Sequence, residues 1–200
     1  GMAAGFATQT QKIAVIGDPS TAEGRKYRNG FLHGVRYACP KCRVDFIDVL
    51  DVNDSAGLIQ PVTVYVSSGF DVFFAAAGKA GNDALVAAAQ QGAWVIGSSG
   101  DAYLGLFGNG SVAGADRVLT SVSVDPGEAL RAALAAFHDE APLYGVQPLS
   151  AANGAIVLAP IRNPAGLLSI PDQADIAAAF ARLADGSLET GIDPATGEER

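Results

Sequence analysis

Four short apolar segments recur in the first half of the chain, at residues 12–17, 44–50, 71–77 and 93–97. Helix-length segments separate them, and this alternation predicts parallel strands joined by crossover helices. Loops that follow parallel strands gather at the carboxyl edge of the sheet, where ligands bind. The pattern predicts an α/β fold, a parallel sheet flanked by helices on both faces. The strand residues expected to be buried are Ile13, Val15, Val72, Phe73, Val95 and Ile96.

Helices are predicted between these strands, at residues 24–38, 55–68 and 82–91. The middle helix rests on conflicting signals. Val62, Val64 and Val66 alternate as they would in a strand, and Pro61 disfavours a helix interior. The flanking strands nevertheless need a right-handed crossover if they are parallel, so we predict a helix there.

The second half of the chain opens with a glycine-rich loop at 100–114 and adds strands that begin at Val118 and Gly154. Asp125 and Glu128 have the spacing of a capping box, which predicts the start of another helix. An apolar stripe at helical spacing is expected to turn this helix towards the core; it consists of Leu130, Leu134 and Phe137.

A last helix is predicted between Ser169 and Gly186, with Ser169 as its cap and Gly186 as its stop. Its core-facing side chains are expected to be Ile176, Phe180 and Leu183. Residues 193–200 are expected to fray, as chain ends without an apolar anchor do.

Composition and charge narrow the class of protein. The 200 residues are 49% hydrophobic, enough for one sizeable core or two small ones. The 13 basic and 21 acidic residues give a net charge of -8, which opposes binding to nucleic acid or to anionic lipid. Apolar runs are about five to eight residues long, whereas a membrane helix needs ~20. The first residues show neither an export signal nor a lipidation signal.

Five segments carry a family resemblance. They are residues 3–14, Arg28-Asn-Gly-Phe-Leu-His-Gly-Val-Arg36 with the Pro40 that follows, Asp71-Val-Phe-Phe-Ala-Ala-Ala-Gly-Lys-Ala-Gly-Asn-Asp83, Gly92-Ala-Trp-Val-Ile-Gly-Ser-Ser-Gly-Asp101 and Val118-Leu-Thr-Ser-Val122. Together they resemble the basic membrane protein family of extracytoplasmic solute-binding proteins. This family includes purine-nucleoside-binding lipoproteins that serve ABC transporters.

The resemblance implies a type I periplasmic-binding-protein-like fold, in which a solute binds between two lobes. It also implies a location outside the cytoplasm and an ABC transporter permease as partner. The chain is expected to contain the second lobe and a remnant of the first, since family members carry a further lobe upstream. The expected division is a first-lobe remnant at 1–11, a second-lobe α/β domain at 12–100, a hinge crossing with a first-lobe strand and helix at 101–150, and a return segment with the C-terminal helix at 151–200.

The loop at 78–82 is the first candidate for ligand binding. Gly78, Lys79, Gly81 and Asn82 are expected to present free backbone N–H groups of a helix N-terminus to an anionic or hydroxyl-rich ligand. The spacing matches neither a P-loop nor a dinucleotide fingerprint. The alternative is a tight turn that uses glycine for its backbone angles.

The loop after residue 97 is the second candidate. The resemblance implies two aspartates here that bind ribose hydroxyls, a task that suits a carboxylate because it accepts two hydrogen bonds from a diol. Ser99 stands at the first of these positions, and Asp101 matches the second. The departure at Ser99 weakens a nucleoside assignment, and a solvated loop aspartate is the alternative for Asp101.

Four further residues complete the candidate set. Thr120 and Ser121 match a Thr-Ser pair of the family, but Val124 replaces the lysine that follows it. Asp18 and Asp51 come after the first and second strands and are expected at the same sheet edge. Turn or helix-capping chemistry is the alternative for both.

Cys39 and Cys42 are expected to form a local disulfide or to remain loop thiols. A zinc site needs four ligands, which the two histidines, His33 and His138, do not supply nearby in sequence, and redox cysteines of this spacing usually precede a helix rather than follow one. Metal and redox roles remain the alternatives. No catalytic motif is present, so we expect neither an enzyme nor a cofactor.

The sequence therefore predicts a solute-binding component of an ABC transporter that takes a purine nucleoside or a similar small polar solute. The alternative is a sensory or scaffold module of the same fold, without a ligand and stabilised by self-association.

Overall fold

The computed structural model describes residues 1–98, 100–139, 145, 149–163 and 165–200. Its strands are β1 (Lys12–Gly17), β2 (Arg43–Asp48), β3 (Val72–Ala76), β4 (Trp94–Gly97), β5 (Val118–Val124) and β6 (Ile156–Leu158). Its helices are α1 (Met2–Ala7), α2 (Ala22–Ala38), α3 (Ser55–Ser67), α4 (Gly78–Gln90), α5 (Ala102–Gly105), α6 (Pro126–His138) and α7 (Ile170–Ala184).

The six strands form one sheet in the order β2-β1-β3-β4-β5-β6. β1 to β5 are parallel, and β6 runs antiparallel to the last residues of β5. The predicted parallel sheet with helices on both faces is therefore confirmed. β5 pairs with β4 through its first half and with β6 through its second half, so it leaves the parallel sheet as it ends.

Alternation along each central strand divides the core into two layers, because successive side chains of a strand point to opposite faces. On one face Phe73 and Val95 join a cluster with the buried side of α3 and α4. On the other face Val15, Phe74 and Ile96 join a cluster with α1, α2 and α7. The near-continuous apolar strands of the sequence reflect burial on both faces.

The disputed segment after β2 is a helix, as predicted. Asp54 caps it by accepting a hydrogen bond from the Gly57 N–H at 3.0 Å. Leu58 and Val62, four residues apart, are buried against the sheet, whereas Val64 is 55% exposed. The alternating valines therefore lie on a helix. The need for a crossover between two parallel strands outweighs their preference for a strand.

The first turn of α4 replaces the predicted loop at 78–82. The helix begins at Gly78 rather than at Asn82, because the Gly81 N–H already donates to the Ala77 carbonyl at 3.1 Å. The Ala80 N–H donates to the Val52 carbonyl at 2.8 Å, so it too is not free for a ligand. The expected row of free backbone N–H groups is therefore shorter than predicted.

The predicted inward stripe of α6 is wrong. Asp125 caps the helix through the Gly127 N–H at 2.8 Å, so its start is as predicted. Leu130, Leu134 and Phe137 are however 61%, 60% and 75% exposed. Among the described elements none packs extensively on α6, since the helix follows the end of β5 beyond the parallel part of the sheet.

The last helix follows its prediction. Ser169 and Asp172 form a capping box, Ile176 is buried, and Phe180 and Leu183 are half-buried. The bounds differ from the prediction by a residue or two.

The expected fraying of residues 193–200 is also wrong. The Glu199 carboxylate lies 3.0 Å from His33 Nε2 and 3.3 Å from Arg36 Nη1, both on α2. The Asn29 side chain donates to the Gly197 carbonyl at 2.7 Å. Polar contacts rather than apolar burial hold the segment, so the lack of apolar residues does not leave it loose.

Cys39 and Cys42 form a disulfide between α2 and β2. The Cys42 N–H also donates to the Cys39 carbonyl at 3.0 Å, which closes the same turn. Among the described helices, none combines the length and the apolarity that crossing a membrane requires.

Candidate ligand-binding site

A cleft of about 550 Å³ opens at the carboxyl edge of the sheet. It lies where the chain leaves β1, β3, β4 and β5 and where α2 begins. Its volume suits one small molecule. Its walls are formed by Asp18, Thr21, Glu23, Gly24, Tyr27, Val52, Ala76, Ala77, Gly78, Ser98, Gly100 and Val124.

The turn between β1 and α2 brings Asp18 to the cleft wall. Asp18 Oδ1 accepts hydrogen bonds from the Ser20 N–H at 2.8 Å and from the Ser20 hydroxyl at 2.6 Å. These bonds lower the pKa of Asp18, so its carboxylate is charged at neutral pH. The turn is tight enough that a Cβ at Gly24 would lie 1.8 Å from the Asp18 carbonyl oxygen. Glycine is therefore required at this position for Asp18 to reach the cleft.

Of the four candidates in the segment 78–82, Gly78 lines the cleft, with a φ of +56° that favours glycine. Lys79 turns outward: its Nζ lies 2.5 Å from Asp83 Oδ2, and its side chain is 70% exposed. Gly81 packs on the sheet, since a Cβ there would approach Ala75 Cβ of β3 to 3.3 Å. Asn82 is half-buried in α4 and is not part of the cleft wall.

Asp101 is engaged elsewhere. Its carboxylate accepts two hydrogen bonds from the Arg162 guanidinium, at 3.0 and 2.8 Å, and one from the Tyr103 N–H at 3.0 Å. The guanidinium also stacks over the Tyr103 ring, 4.3 Å from its centre. Asp101 therefore caps α5 and is not part of the described cleft wall. Ser99 lies outside the described residues.

The remaining candidates also make structural contacts. The buried Thr120 hydroxyl donates to the Ala159 carbonyl at 2.8 Å, and the buried Ser121 hydroxyl accepts from the Ala102 N–H at 3.0 Å. Asp51 accepts from the Asn53 N–H at 2.8 Å in an exposed turn; Val52 of this turn lines the cleft, but Asp51 does not. Asp18 and Gly78 are thus the candidates that the structure brings together at the cleft.

Sequence reasoning missed several wall residues that come from the start of α2. Thr21 caps this helix by accepting from the Gly24 N–H at 3.0 Å, Glu23 lies in its first turn, and Tyr27 follows one turn later. Burial and the charge of Glu23 raise the pKa of Tyr27, so its phenol is neutral at physiological pH. A capping threonine after a buried strand is the signal that marks this helix start.

A second depression of about 860 Å³ lies on the face of the sheet that α2 and α7 cover. Its walls are mainly apolar, with Phe31, Phe74 and Ile96 among them, and Thr120 is part of its lining. Tyr27 lines both this depression and the first cleft, so the two adjoin at that residue.

One protein family model matches most of the chain. The model of the Bmp family, described as ABC transporter substrate-binding protein PnrA-like, matches residues 1–141. The chain belongs to this Bmp family. The predicted resemblance to the basic membrane protein family is therefore confirmed, and the ligand-binding class of the Bmp family agrees with the expectation that the chain is not an enzyme.

Solved structures show the same fold as this Bmp chain. An ABC transporter solute-binding protein from Conexibacter woesei DSM 14684 covers 98% of the chain with a TM-score of 0.71 and 20% identity. A transcriptional activator of the comK gene from Bacillus halodurans covers 94% with a TM-score of 0.75 and 18% identity. An ABC transporter solute-binding protein from Aeropyrum pernix K1 covers 94% with a TM-score of 0.62 and 15% identity. At these identities the likeness concerns the fold.

A curated relative is more similar in sequence over a shorter stretch. The Bmp chain is 30% identical over 110 residues to a CD4+ T-cell-stimulating antigen from Listeria innocua serovar 6a. The match covers 52% of the chain and 31% of that antigen. The chain likewise spans 61%, 62% and 53% of the three similar structures, so the relatives it matches are substantially longer.

Proposed function

We propose that this Bmp chain is the extracytoplasmic solute-binding component of an ABC transporter and that it binds a purine nucleoside or a similar small polar solute. The observation that carries the proposal is the cleft of about 550 Å³ formed by four strand ends at the carboxyl edge of the sheet. Parallel α/β sheets bind ligands at this edge, and the family is one of substrate-binding proteins. A transporter permease is the partner that this function requires.

The cleft wall offers the kinds of contact that a polar solute with a flat ring needs. Asp18 supplies a charged acceptor for hydroxyl groups, and Gly78 brings backbone close to the ligand without a side chain. Tyr27 presents an aromatic ring with a neutral phenol, suited to stacking and to hydrogen bonding. We therefore place the ligand between the start of α2 and the end of β3.

Asp101 has an indirect part in this proposal. Its pairing with Arg162, whose backbone N–H donates to the Leu119 carbonyl of β5, holds the start of α5 next to β5, directly after Gly100 of the cleft wall. The direct contact between Asp101 and ribose hydroxyls that the family resemblance implies stays a prediction. It requires that the carboxylate be shared with Arg162.

The test is calorimetric titration of the full chain with adenosine, inosine, guanosine and a panel of neutral sugars. Thr21, Glu23 and Gly78 of the cleft wall are exposed to solvent, so we expect weak binding, with a dissociation constant of about 0.1 to 1 mM, or ~4 to 5.5 kcal/mol. Val124→Trp should abolish binding because Val124 lines the cleft and a larger side chain would fill it.

Val157→Trp is the matched control for this substitution. Val157 lies on β6 directly beside Ser123, is 37% exposed as Val124 is, and does not line the cleft. It should bind like the parent. Heat from none of the solutes at millimolar concentration, or equal binding by Val124→Trp and the parent, contradicts the proposal.

A sensory or scaffold module remains the alternative, and one observation favours it. The exposed stripe of α6, formed by Leu130, Leu134 and Phe137, is an apolar surface of the kind that partners cover. This alternative predicts self-association without a ligand. Light scattering tests this alternative. A dimer mass for the parent and a monomer mass for Phe137→Glu, together with no solute binding, would favour the scaffold module.

A further inference from the structure

We infer that the cleft at the carboxyl edge prefers solutes that carry a positively charged amine over neutral or anionic solutes of the same shape. The inference rests on the proposed function, since it names the charge class of the solute for the same site. It follows from which charged side chains the fold directs into the cleft and which it directs away.

Two carboxylates face the cleft from nearby positions on the chain. Asp18 follows β1, and Glu23 lies in the first turn of α2; both line the wall. The Ser20 hydrogen bonds occupy Oδ1 of Asp18, and no described hydrogen bond occupies its Oδ2. The carboxylate therefore keeps an acceptor for an ammonium group of a ligand.

The cations nearest to the cleft are paired with carboxylates outside its wall, although Arg25 is close enough to Asp18 to help lower the pKa of that carboxyl. Lys79 pairs with Asp83 on the outer side of α4. Arg25 pairs with Glu198 at 3.0 Å and donates to the carbonyls of Pro19 and Ser20 at 2.9 and 3.0 Å. Among the described residues that line the cleft, none is lysine or arginine. The negative charge of the wall is therefore not neutralised by side chains from within the cleft.

Helix dipoles oppose this charge but do not cancel it. The N-termini of α2 and α4 both point at the cleft, and each is equivalent to about +0.5 of an elementary charge. Two carboxylates against two such ends leave a net charge of about -1 at the wall. A solute amine is thus attracted, and a phosphate or carboxylate is repelled.

The expected size of the preference is modest because Glu23 is exposed and water screens its interaction with a ligand. We expect about tenfold tighter binding of an amine than of its neutral analogue, which is ~1.4 kcal/mol. The preference should shrink when the ionic strength rises from about 0.01 to 0.5 M, since the Debye length falls from ~30 Å to less than about 10 Å.

The experiment titrates the full chain with two sets of probes that keep the body of the solute constant. The first set is 5′-amino-5′-deoxyadenosine, adenosine and adenosine 5′-monophosphate. The second set is glucosamine, glucose and glucose 6-phosphate. We expect the amine to bind most tightly and the phosphate most weakly within the set that binds.

Asp18→Asn and Glu23→Gln should each reduce the ratio of the amine affinity to the neutral-probe affinity about threefold or more. The amide introduced by Asp18→Asn would keep an oxygen for the Ser20 N–H, and thermal unfolding checks that each variant folds. Asp185→Asn is the matched control: its Oδ1 accepts from the Ser187 N–H at 2.8 Å, as Asp18 accepts from the Ser20 N–H, but neither Asp185 nor its sequence neighbours line the cleft.

The outcomes separate this inference from the proposed function. Binding of adenosine or glucose without tighter binding of the matching amine overturns the charge preference and leaves the proposed function standing. A loss of preference in Asp185→Asn equal to that in Asp18→Asn assigns the preference to the net charge of the whole chain and also overturns the inference. No binding by any of the six probes overturns both.

Discussion

Arg162→Ala should lower the free energy of unfolding by about 2 kcal/mol, because it removes a hydrogen-bonded ion pair from a partly buried position. The Arg162 and Asp101 side chains are only 22% and 17% exposed and share two hydrogen bonds. Hydrogen bonds to charged groups contribute ~1.5 to 3 kcal/mol, whereas exposed ion pairs contribute ~0 to 1 kcal/mol. The stack of the Arg162 guanidinium on Tyr103 adds ~0.5 kcal/mol. Because the pair is partly exposed, we take its hydrogen bonds at the lower end of their range, which gives a total of about 2 kcal/mol.

Arg43→Ala is the matched control for that substitution. Arg43 also makes two hydrogen bonds to one carboxylate, at 2.7 and 2.6 Å from Asp45, and lies 5.5 Å from the centre of the Phe70 ring. Its side chain is however 64% exposed. Its removal should therefore cost less than ~1 kcal/mol.

Urea unfolding followed by far-ultraviolet circular dichroism measures both values, and a double-mutant cycle with Asp101→Asn isolates the pair. We expect a coupling energy of about 1.5 kcal/mol between Arg162 and Asp101. An Arg162→Ala variant no less stable than Arg43→Ala, or a coupling energy below ~0.5 kcal/mol, would refute the reasoning. In that case the pair would not hold α5, and Asp101 would be free for the ligand contact that the family resemblance implies.

Two further predictions follow from positions that the structure places unexpectedly. Leu134→Ala in α6 should change the stability by no more than ~0.5 kcal/mol, whereas Leu85→Ala in α4, at a fully buried position, should cost ~2 to 5 kcal/mol; equal losses in urea unfolding would mean that α6 buries its stripe. The His33 hydrogen bond holds the pKa of Glu199 below its usual range, so the contact is present above the ordinary glutamate pKa and is lost as the pH falls through the lowered value. Acidification should therefore detach the C-terminal segment from α2, which limited proteolysis detects as faster cleavage of that segment. Glu199→Gln should remove this pH dependence while the rest of the chain stays folded.

The local sequence determined most of the elements and their order. Buried strands on both faces of a sheet need continuous apolar runs, and residues 71–77 and 93–97 are of this kind. The connection at 55–67 was recoverable although its valines favour a strand, because a parallel pair needs a crossover. The sequence likewise predicts the carboxyl edge as the ligand side, because the order and direction of the strands alone determine which loops meet there.

The side chains that reach this edge could not be named in the same way. Asp18 and Asp101 both follow strands and have the same chemistry, yet Asp18 lines the cleft and Asp101 is taken up by Arg162. That partner is 61 residues away along the chain, on a segment without a motif. The pattern of apolar positions predicts where helices and strands lie along the chain. It does not predict which charged side chain, distant in sequence, pairs with a residue of a given loop.

Tertiary structure also decided which apolar and polar surfaces have partners. Leu134 has the spacing of a core residue but stays exposed, since α6 extends past the parallel sheet and meets no described layer. Glu199 lies in a polar C-terminal segment whose composition predicts fraying, but contacts with His33 and Arg36 hold it against α2. Helical periodicity and composition are properties of a short window of sequence. Burial depends instead on what else the fold brings within reach of that window.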